Sequence, residues 1–291
     1  MRKYYLESQL NWNRDFGVHN LGALLYHYLQ DEVSTFTDVD NTGVGNIPYR
    51  SQGLSARLTY GLQNKYFLDL NFGYTGSENF RVCEQYGFFP SVALGWVATE
   101  YDFMKENLPW LSFLKFRASY GTAGNASISN ARFPYQTKVN SHSGSTWGHV
   151  GSGINITQLG ADNLRWEVSL KQNAGVDINF YKDRLKITAD VFKDVRDNIF
   201  QQKLNIPGVA GYVTTPYGNV GSMYSFGTDG NFSYYQPITK EIDFTVRGNY
   251  TFATNYVNHY DEAQQPYEYL NRTGYPWAVQ RGYVAMGLFE S

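Results

Sequence analysis

A Ser- and Gly-rich stretch, NSHSGSTWGHVGSG at 140–153, holds the residue types of a hydrolase. His142 and His149 could act as general bases, and Ser143 and Ser145 could act as nucleophiles. A catalytic serine also needs a strained turn such as G-x-S-x-G, or a base oriented by a carboxylate, and neither accompanies the stretch. We therefore predict no catalytic site and interpret the stretch as an outside loop.

A second stretch, DVDNTGVGNIPY at 38–49, begins like a calcium-binding loop. Asp38, Asp40 and Gly43 hold the first, third and sixth places of such a loop. The twelfth place holds Tyr49 instead of the bidentate glutamate that the ion requires. The five histidines show no metal-binding spacing either, so we predict no metal site and no cofactor.

The composition excludes several classes of protein. A net charge of −2 gives no reason to expect a nucleic-acid partner, and the single Cys83 leaves no disulfide framework and no zinc-binding thiolate cluster. No apolar run is long enough for a membrane helix, and the N-terminal residues do not read as a signal peptide. Aromatic residues make up 17% of the chain, with 25 Tyr among them. Membrane β-barrels share these properties because their strands alternate and carry little net hydropathy.

Alternation of apolar and polar residues runs along most of the chain. In LRWEVSLKQNAGVDINFY, residues 164–181, the even positions are mainly apolar and the odd positions are mainly charged or amidic. A period of two predicts a β-strand with two different faces. The pattern predicts about ten strands, at 4–12, 18–31, 54–62, 66–74, 88–96, 114–120, 164–181, 185–191, 225–236 and 242–252.

The links between these segments alternate between short and long. The short or medium links are 13–17, 63–65, 99–111, 182–184 and 236–241, and the long ones are 32–48, 77–86, 122–162 and 197–224. In an up-and-down sheet, this order places all short links at one end and all long links at the other. Outer-membrane barrels are built in this way, with tight periplasmic turns and extended outside loops.

A barrel wall in lipid requires a closed sheet, because each unpaired backbone group costs several kcal/mol in hydrocarbon. The apolar face would then contact lipid and the polar face would line a lumen. We predict aromatic girdles at the membrane interfaces, formed by Tyr60, Tyr66, Tyr74, Trp96, Tyr120, Trp166 and Tyr250. We predict lumen-facing side chains at Arg57, Lys115, Arg117, Glu167, Lys171, Asp177 and Arg247. Basic residues there could guide an anionic ligand or brace a plug.

Several motifs, in order, resemble the barrel of the SusC/RagA-like TonB-dependent outer-membrane receptors of Bacteroidota. The family has a "YFPS.SLGW" strand, then a short link containing "FM", then an "LKLR.SYG.TGN" strand. Residues 86–125 are similar to these three segments in order: YGFFPSVALGWVATEYDFMKENLPWLSFLKFRASYGTAGN. Further segments of the family resemble residues 163–200, NLRWEVSLKQNAGVDINFYKDRLKITADVFKDVRDNIF, and residues 282–291, GYVAMGLFES. NVGSMYSFGTDGNFSYY at 219–235 matches another segment, with departures at Tyr224, Phe226 and Thr228.

The resemblance implies an all-β, antiparallel transmembrane barrel of 22 strands. Residues 1–291 would supply about ten strands and a partial eleventh, without a plug domain. It further implies an outer-membrane importer of oligosaccharides or peptides, which works with a SusD-like surface lipoprotein and is coupled to the TonB system through the plug. On this view the chain is either an internal piece of a longer receptor or a truncated gene product that starts at an internal Met, and we expect that it is not competent for transport alone.

Ligand contacts in the outside loops are predicted at Tyr135, Trp147 and Tyr217, because aromatic rings there could stack on sugars. Two alternatives remain open at this point. One is a soluble extracellular β-protein that binds carbohydrate, and the other is an outer-membrane barrel enzyme. The sequence does not identify the cargo.

Overall fold

Ten long strands form one antiparallel sheet in which neighbours in space are also neighbours in the chain. The structure, a computed structural model, describes residues 2–33, 47–128, 132–140, 153–284 and 287. The strands of this sheet are β1 (Arg2–Phe16), β2 (His19–Val33), β3 (Tyr49–Leu62), β4 (Tyr66–Ser77), β5 (Tyr86–Val97), β6 (Leu111–Asn125), β9 (Glu167–Phe180), β10 (Leu185–Gln202), β11 (Tyr217–Pro237) and β12 (Asp243–His259). The predicted all-β, antiparallel architecture is confirmed, and β1 and β12 form the two edges of the sheet.

The strands join at tight turns on one end of the sheet. β1 and β2 are joined through Gly17 and Val18, and β3 and β4 through residues 63–65. Gly17, Gln63 and Asn64 have φ angles of 61°, 53° and 55°. Positive φ angles match the twist of a hairpin, which is why Gly and Asn are favoured at such turns. The predicted sorting of short links to one end therefore corresponds to the structure.

The other short links follow the same rule. Residues 181–184 join β9 to β10, and residues 238–242 join β11 to β12. The medium link between β5 and β6 contains a 3₁₀ turn, Ala98–Glu100, and the helix α1, Asp102–Asn107. In the part of the chain that the structure describes, no helix has the length and hydropathy needed to span a bilayer.

The long links lie at the opposite end, where some of them fold into a small buried core. Its buried members are Phe80, Ile128, Ala161, Leu164 and Trp166. Phe80 and Leu164 are fully buried, and Phe80 stacks on Trp166 with ring centroids 4.8 Å apart. The link between β6 and β9 also contains two short antiparallel strands, β7 (Lys138–Asn140) and β8 (Asn155–Gln158).

The prediction that Trp166 belongs to an interface girdle is wrong. β9 begins at Glu167 rather than at 164, and Trp166 is only 8% exposed. The link between β4 and β5 folds back and places Phe80 on the indole ring, so burial against a second aromatic ring replaces contact with the membrane interface.

A fork in the wall explains why this core is needed. The ladder between β5 and β6 ends at the pair Ser91 and Gly121, although both strands continue beyond it. Phe89 fills the space between them, and a Cβ atom at Gly124 would overlap its ring. The Phe89 ring also lies 5.3 Å from the Trp166 ring, so the aromatic core occupies the opening between the diverging strands.

Arg132, in the link between β6 and β9, forms hydrogen bonds to two other long links, the one before β3 and the one between β4 and β5. Its guanidinium donates hydrogen bonds to the carbonyl oxygen of Ile47, to the carbonyl oxygen of Pro48 at 2.9 Å, and to Glu78 Oε1 at 2.6 Å. It also lies 3.7 Å from the ring centroid of Tyr49. Only a planar group with several fixed donors can make this set of contacts, which is the property that distinguishes Arg from Lys.

The segment after β12 turns back along the end of that strand. The N–H of Val257 donates to the carbonyl of Tyr275 at 2.9 Å, and the carboxylate of Glu262 accepts from the backbone N–H groups of Arg272 and Thr273. Burial alone raises the pKa of Glu262, but these N–H donors and the Arg272 charge outweigh burial and hold the pKa below its usual range. Residues 281–284 form no strand, and most of the predicted partial eleventh strand lies outside the described residues.

Candidate functional site

All seven residues predicted to face a lumen lie on one face of the ten-stranded sheet, which we call the polar face. Directly paired residues of antiparallel strands point to the same side, so the register connects the strands. One row of pairs joins Arg57, Asn71, Ser91, Gly121, Lys171, Asp194, Ser225 and Asn255. Residues at even spacing from this row share its face: Lys115, Arg117, Glu167, Asp177 and Arg247.

Arg57 and Lys115 have different partners on the polar face. Arg57 forms a bidentate ion pair with Asp69 on the neighbouring strand. The Lys115 ammonium lies 5.3 Å from the ring centroid of Phe67 and forms no ion pair within the described residues. No carboxylate among the described residues therefore neutralises the Lys115 charge.

Arg117 bridges three strands. Its Nε lies 2.8 Å from Asp177 Oδ2 and its Nη2 lies 3.0 Å from Asp190 Oδ2. Gly175 pairs with Arg117 on one side and with Asp190 on the other, so the side-chain contact passes over it. A Cβ atom at Gly175 would collide with the Asp190 carboxylate, so glycine is required for the ion pair to cross β9.

Lys171 and Arg247 lie further around the same face. Lys171 Nζ is 3.0 Å from Asp194 Oδ2, which links β9 to β10. Arg247 on β12 is exposed, and it faces Ser233 across the ladder. Because Arg117 and Lys171 are paired with aspartates, the polar face carries charge of both signs rather than one basic patch.

Glu167 shares this face, but it does not present a free charge. Its side chain is buried and accepts hydrogen bonds from Asn125 Nδ2 at 2.9 Å and from the backbone N–H of Phe200 at 3.1 Å. β10 is irregular between Arg196 and Phe200, which leaves that N–H free of the regular ladder. Glu167 therefore fixes the ends of three strands, a role that strand alternation cannot reveal.

A recess of about 640 Å³ lies on the polar face toward the short links. Its floor is formed where side chains are small, at Gly22, Gly61, Ala93 and Gly95. Its walls carry polar groups from six strands: Asn13, Asp15, Asn20, Arg57, Thr59, Asp69, Lys115, Arg117, Ser119 and Asn173. The recess can form hydrogen bonds and ion pairs, and none of its side chains is placed as a nucleophile beside a base.

The opposite face, which we call the apolar face, carries exposed aliphatic and aromatic side chains. Trp96 and Phe116 stack there at 5.5 Å, and Tyr74 stacks on Tyr86 at 5.0 Å. Exposed apolar side chains of this face recur on neighbouring strands, for example Leu25, Leu58, Leu94, Val191 and Phe252. Monomeric soluble proteins rarely expose apolar areas of this extent, so the face requires an apolar environment.

The predicted loop contacts are placed differently. Tyr135 is half-buried at the margin of the aromatic core, edge-on to Phe133. Tyr217 is the first residue of β11 rather than a loop residue, because β10 and β11 extend the sheet and shorten the link to 203–216; its ring stacks on Phe200. Trp147 lies outside the described residues.

The two stretches whose residue types suggested catalysis or calcium binding lie mostly outside the described residues. His142, Ser143, Ser145 and His149 lie outside the described residues, as do Asp38, Asp40 and Gly43 of the calcium-like loop. Within the described ranges, no group of three or more His, Cys, Asp or Glu side chains could hold a metal ion.

One cluster on the polar face was not predicted from the sequence. Tyr5, Tyr26 and Tyr28 lie beside Glu7, and the hydroxyls of Tyr5 and Tyr26 both donate to Glu7 Oε2, at 3.0 and 3.1 Å. The available signal was the even spacing of Tyr26 and Tyr28 opposite Glu7 and Gln9, but the alternation in β2 is too irregular to show which face is polar.

Comparison with known proteins gives consistent results. A family model described as TonB dependent receptor-like, beta-barrel, matches residues 2–285. TonB-dependent receptor P3 of Formosa agariphila is 28% identical over 276 residues, which cover 86% of this chain and 26% of that relative. TonB-dependent receptor SusC of Bacteroides thetaiotaomicron is 27% identical over 203 residues, covering 69% of this chain and 20% of SusC. The chain spans about a quarter of the length of the first curated relatives it matches.

Solved structures show the same fold. The RagAB peptide transporter matches with a TM-score of 0.70 at 20% identity, over 88% of this chain and 30% of that one. The siderophore receptor PirA from Pseudomonas aeruginosa matches with a TM-score of 0.54 at 15% identity, over 88% and 45% of the two chains. At these identities the similarity concerns the barrel-type fold alone.

Proposed function

The chain belongs to the family of TonB-dependent receptor-like β-barrels, and on that premise we propose that residues 1–291 form part of the wall of an outer-membrane importer of oligosaccharides or peptides. Receptors of this family are outer-membrane transporters rather than enzymes. In the proposed mechanism, TonB supplies energy from the inner membrane through a plug, and a SusD-type lipoprotein covers the outer opening. The wall contributes a water-lined inner surface and outside loops, and no covalent bond changes.

The division of the sheet into two faces carries this proposal. An Arg or Lys side chain at the lipid face of a barrel costs about 2–4 kcal/mol at the bilayer midplane. The ion pairs of Arg57, Arg117 and Lys171 all lie on the polar face, where a water-filled lumen would solvate them. The apolar face would contact lipid, with aromatic side chains toward its two margins.

The cargo and partner rest on the relatives. One curated relative is SusC, and one structural neighbour is described as a peptide transporter. The first is named a TonB-dependent receptor and the second a peptide transporter, and these names support an importer as the proposed function. The seven polar-face residues and the outside aromatic residues are the proposed lining and contact groups.

Adjacent residues on opposite faces provide a direct test. In the receptor polypeptide that carries these residues, Cys83→Ser first removes an exposed cysteine that would also react with the label. A nitroxide label is then attached to a cysteine introduced as Leu58→Cys or as Thr59→Cys. In lipid vesicles, we expect the label at 58 to collide mainly with oxygen and the label at 59 mainly with a water-soluble nickel chelate. Equal accessibility of both labels to the nickel chelate would contradict the membrane assignment and favour a soluble β-protein.

Uptake tests the transport part of the proposal. In a host that expresses the receptor, deleting TonB or the gene for the SusD-type lipoprotein should abolish accumulation of labelled oligosaccharide or peptide. Uptake that continues without TonB would contradict the mechanism while leaving the membrane assignment intact.

A further inference from the structure

A cleft of about 580 Å³ lies on the apolar face, at the end of β1 to β5 that carries the long links. We call it the rim cleft. Its lining includes two consecutive rows of side chains aligned by the register, with Tyr4, Asp31 and Arg50 in the outer row and Leu6, Leu29, Gln52 and Tyr86 in the next. Charged side chains thus lie directly beyond aliphatic ones on the same surface.

The position of the rim cleft along the strands corresponds to a membrane interface. From Tyr60 to Arg50, β3 extends about 33 Å, or about 25 Å along the axis of a barrel with strands tilted by about 40°. The apolar band of an outer-membrane barrel is about 25 Å tall. With Tyr60 at the inner margin of this band, Arg50 lies at the outer margin, at the depth of the lipid headgroups. This placement rests on the proposed function, which puts the apolar face in lipid and the long links outside.

Tyr86 forms one wall of the cleft. Its ring leans over Gly76, where a Cβ atom would lie only 2.6 Å from a ring carbon. The ring is held there by a hydrogen bond from Gln52 to its hydroxyl and by stacking on Tyr74, with centroids 5.0 Å apart. Because residue 76 has no side chain, the wall takes this position before any ligand binds.

Arg50 presents unused hydrogen-bond donors to the cleft. Its Nε donates to Asp31 Oδ2 at 3.0 Å, and neither of its Nη atoms forms a hydrogen bond within the described residues. The Arg50 side chain is 65% exposed, so these Nη atoms are accessible. Asp31 therefore orients the guanidinium group and leaves its outer edge open to a ligand.

The charges around the mouth of the cleft have a positive excess. Arg2 lies on the same face, with its guanidinium 5.3 Å from the Tyr4 ring centroid, and it forms no ion pair within the described residues. Glu78, which also lines the cleft, is neutralised by Arg132 at 2.6 Å. Arg2 and Arg50 are thus opposed only by Asp31, which favours an anionic ligand.

We propose that the rim cleft binds the phosphorylated headgroup of an outer-leaflet glycolipid of the lipid A type. The two Nη atoms of Arg50 match two oxygens of a phosphate group. Gln52 and the hydroxyl of Tyr4 provide hydrogen-bonding groups for the sugar. Leu6 and Leu29 contact the first methylene groups of the acyl chains. Since the cleft lies on the outside of the wall, this lipid is a partner of the barrel and not its cargo.

The test measures lipid binding to the detergent-solubilised receptor polypeptide that carries these residues, by native mass spectrometry. The probes are monophosphoryl lipid A, the same lipid after removal of its phosphate, phosphatidylglycerol and inorganic phosphate. Monophosphoryl lipid A should bind about tenfold or more tightly than its dephosphorylated form, because the charge-assisted hydrogen bonds to Arg50 are lost without the phosphate. It should also bind more tightly than phosphatidylglycerol, which has no sugar for the polar groups of the cleft.

Two substitutions separate the parts of the site. Arg50→Ala should weaken binding of monophosphoryl lipid A about tenfold or more and leave the dephosphorylated lipid nearly unaffected. Arg50→Lys keeps the charge without the parallel donors, so its affinity should fall between those of Arg50→Ala and the unmodified chain. Gly76→Val keeps Arg50 but displaces the Tyr86 ring, so it should weaken binding of the lipid with and without phosphate.

Arg14→Ala is the matched control. Arg14 lies on the same face of β1 at the short-link end, with its guanidinium 4.8 Å from the Phe16 ring centroid. Its removal should change the affinity for monophosphoryl lipid A by no more than about twofold. All variants are first checked for a normal heat-dependent gel shift, which shows that the barrel has formed.

Several outcomes would overturn the inference. These are equal affinity for lipid A with and without phosphate, unchanged affinity in Arg50→Ala, or an equal loss in Arg14→Ala. Phosphatidylglycerol bound as tightly as lipid A would indicate an unselective interface, and displacement of lipid A by an equal concentration of inorganic phosphate would assign the site to a small anion. If the labels at 58 and 59 still report lipid and water while any of these occurs, the proposed function stands and the inference alone fails.

Discussion

Phe80→Ala tests whether the aromatic core holds the long links as one cooperative unit. The ring is fully buried against Trp166, with the two centroids 4.8 Å apart. Truncating a buried Phe to Ala costs about 3–5 kcal/mol, because the transfer free energy and the contacts around the cavity are both lost. We expect the free energy of local opening at the long-link end to fall by that amount.

Amide hydrogen exchange measures this free energy directly. The N–H of Ala161 donates to the carbonyl of Pro134 at 2.8 Å, and the N–H of Gln136 donates to that of Phe133 at 2.9 Å. Since 1.4 kcal/mol corresponds to a factor of ten, exchange at these amides should become faster by about two to three and a half orders of magnitude. Amides in β3 and β4 below the core should keep their protection.

The same link provides a control. Val82 is 84% exposed, and Val82→Ala should change exchange by no more than about twofold, as expected for surface substitutions. If Phe80→Ala leaves exchange at Ala161 within threefold of the unmodified chain (about 0.6 kcal/mol), or if Val82→Ala has an equal effect, the core does not stabilise these links and the reasoning fails.

Two other predictions concern charge. Gly175→Ala should displace the Arg117–Asp190 ion pair and destabilise the barrel by about 1–3 kcal/mol; a lower temperature of the heat-dependent gel shift would show this, whereas Gly208→Ala, with open space around it, should have no effect. Glu262 has a lowered pKa, so its contribution to stability is complete above its ordinary pKa and is lost as pH falls through the lowered value. Pepsin should therefore cleave the segment after β12 faster in Glu262→Gln than in the unmodified chain at about pH 5, and the difference should shrink as the pH falls toward about pH 2. A difference that persists at the lower pH would contradict the assignment.

The sequence was most informative where one physical rule acts alone. In strands such as β3 and β4, one side of the wall meets an apolar environment and the other a polar one, so Leu58 and Thr59 could be assigned to opposite faces from alternation. The positions of the short turns were also predictable, because hairpin turns favour particular residues, as at Gln63 and Asn64.

Prediction failed where tertiary contacts override alternation. Trp166 continues the apolar parity of β9 but packs into the core, since a link distant in sequence covers it. Glu167 continues the polar parity but serves as a structural acceptor for a backbone N–H of β10. Both depend on how the long links fold back, which residue periodicity does not encode. The cluster of Tyr5, Tyr26 and Tyr28 was not predicted for a related reason: a ring with a hydroxyl suits either face, so parity alone could not assign it.

The sorting of the links also sets an order of assembly. The tight turns produce the hairpins β1–β2, β3–β4, β9–β10 and β11–β12 from contacts close in sequence, which form on the microsecond scale. Joining β6 to β9 requires closure of the long link 126–166, and each doubling of loop length adds about 0.6 kcal/mol of entropic cost. The hairpins therefore form first, as separate units. Pairing of β6 with β9 follows more slowly, and burial of Phe80 and Leu164 accompanies it.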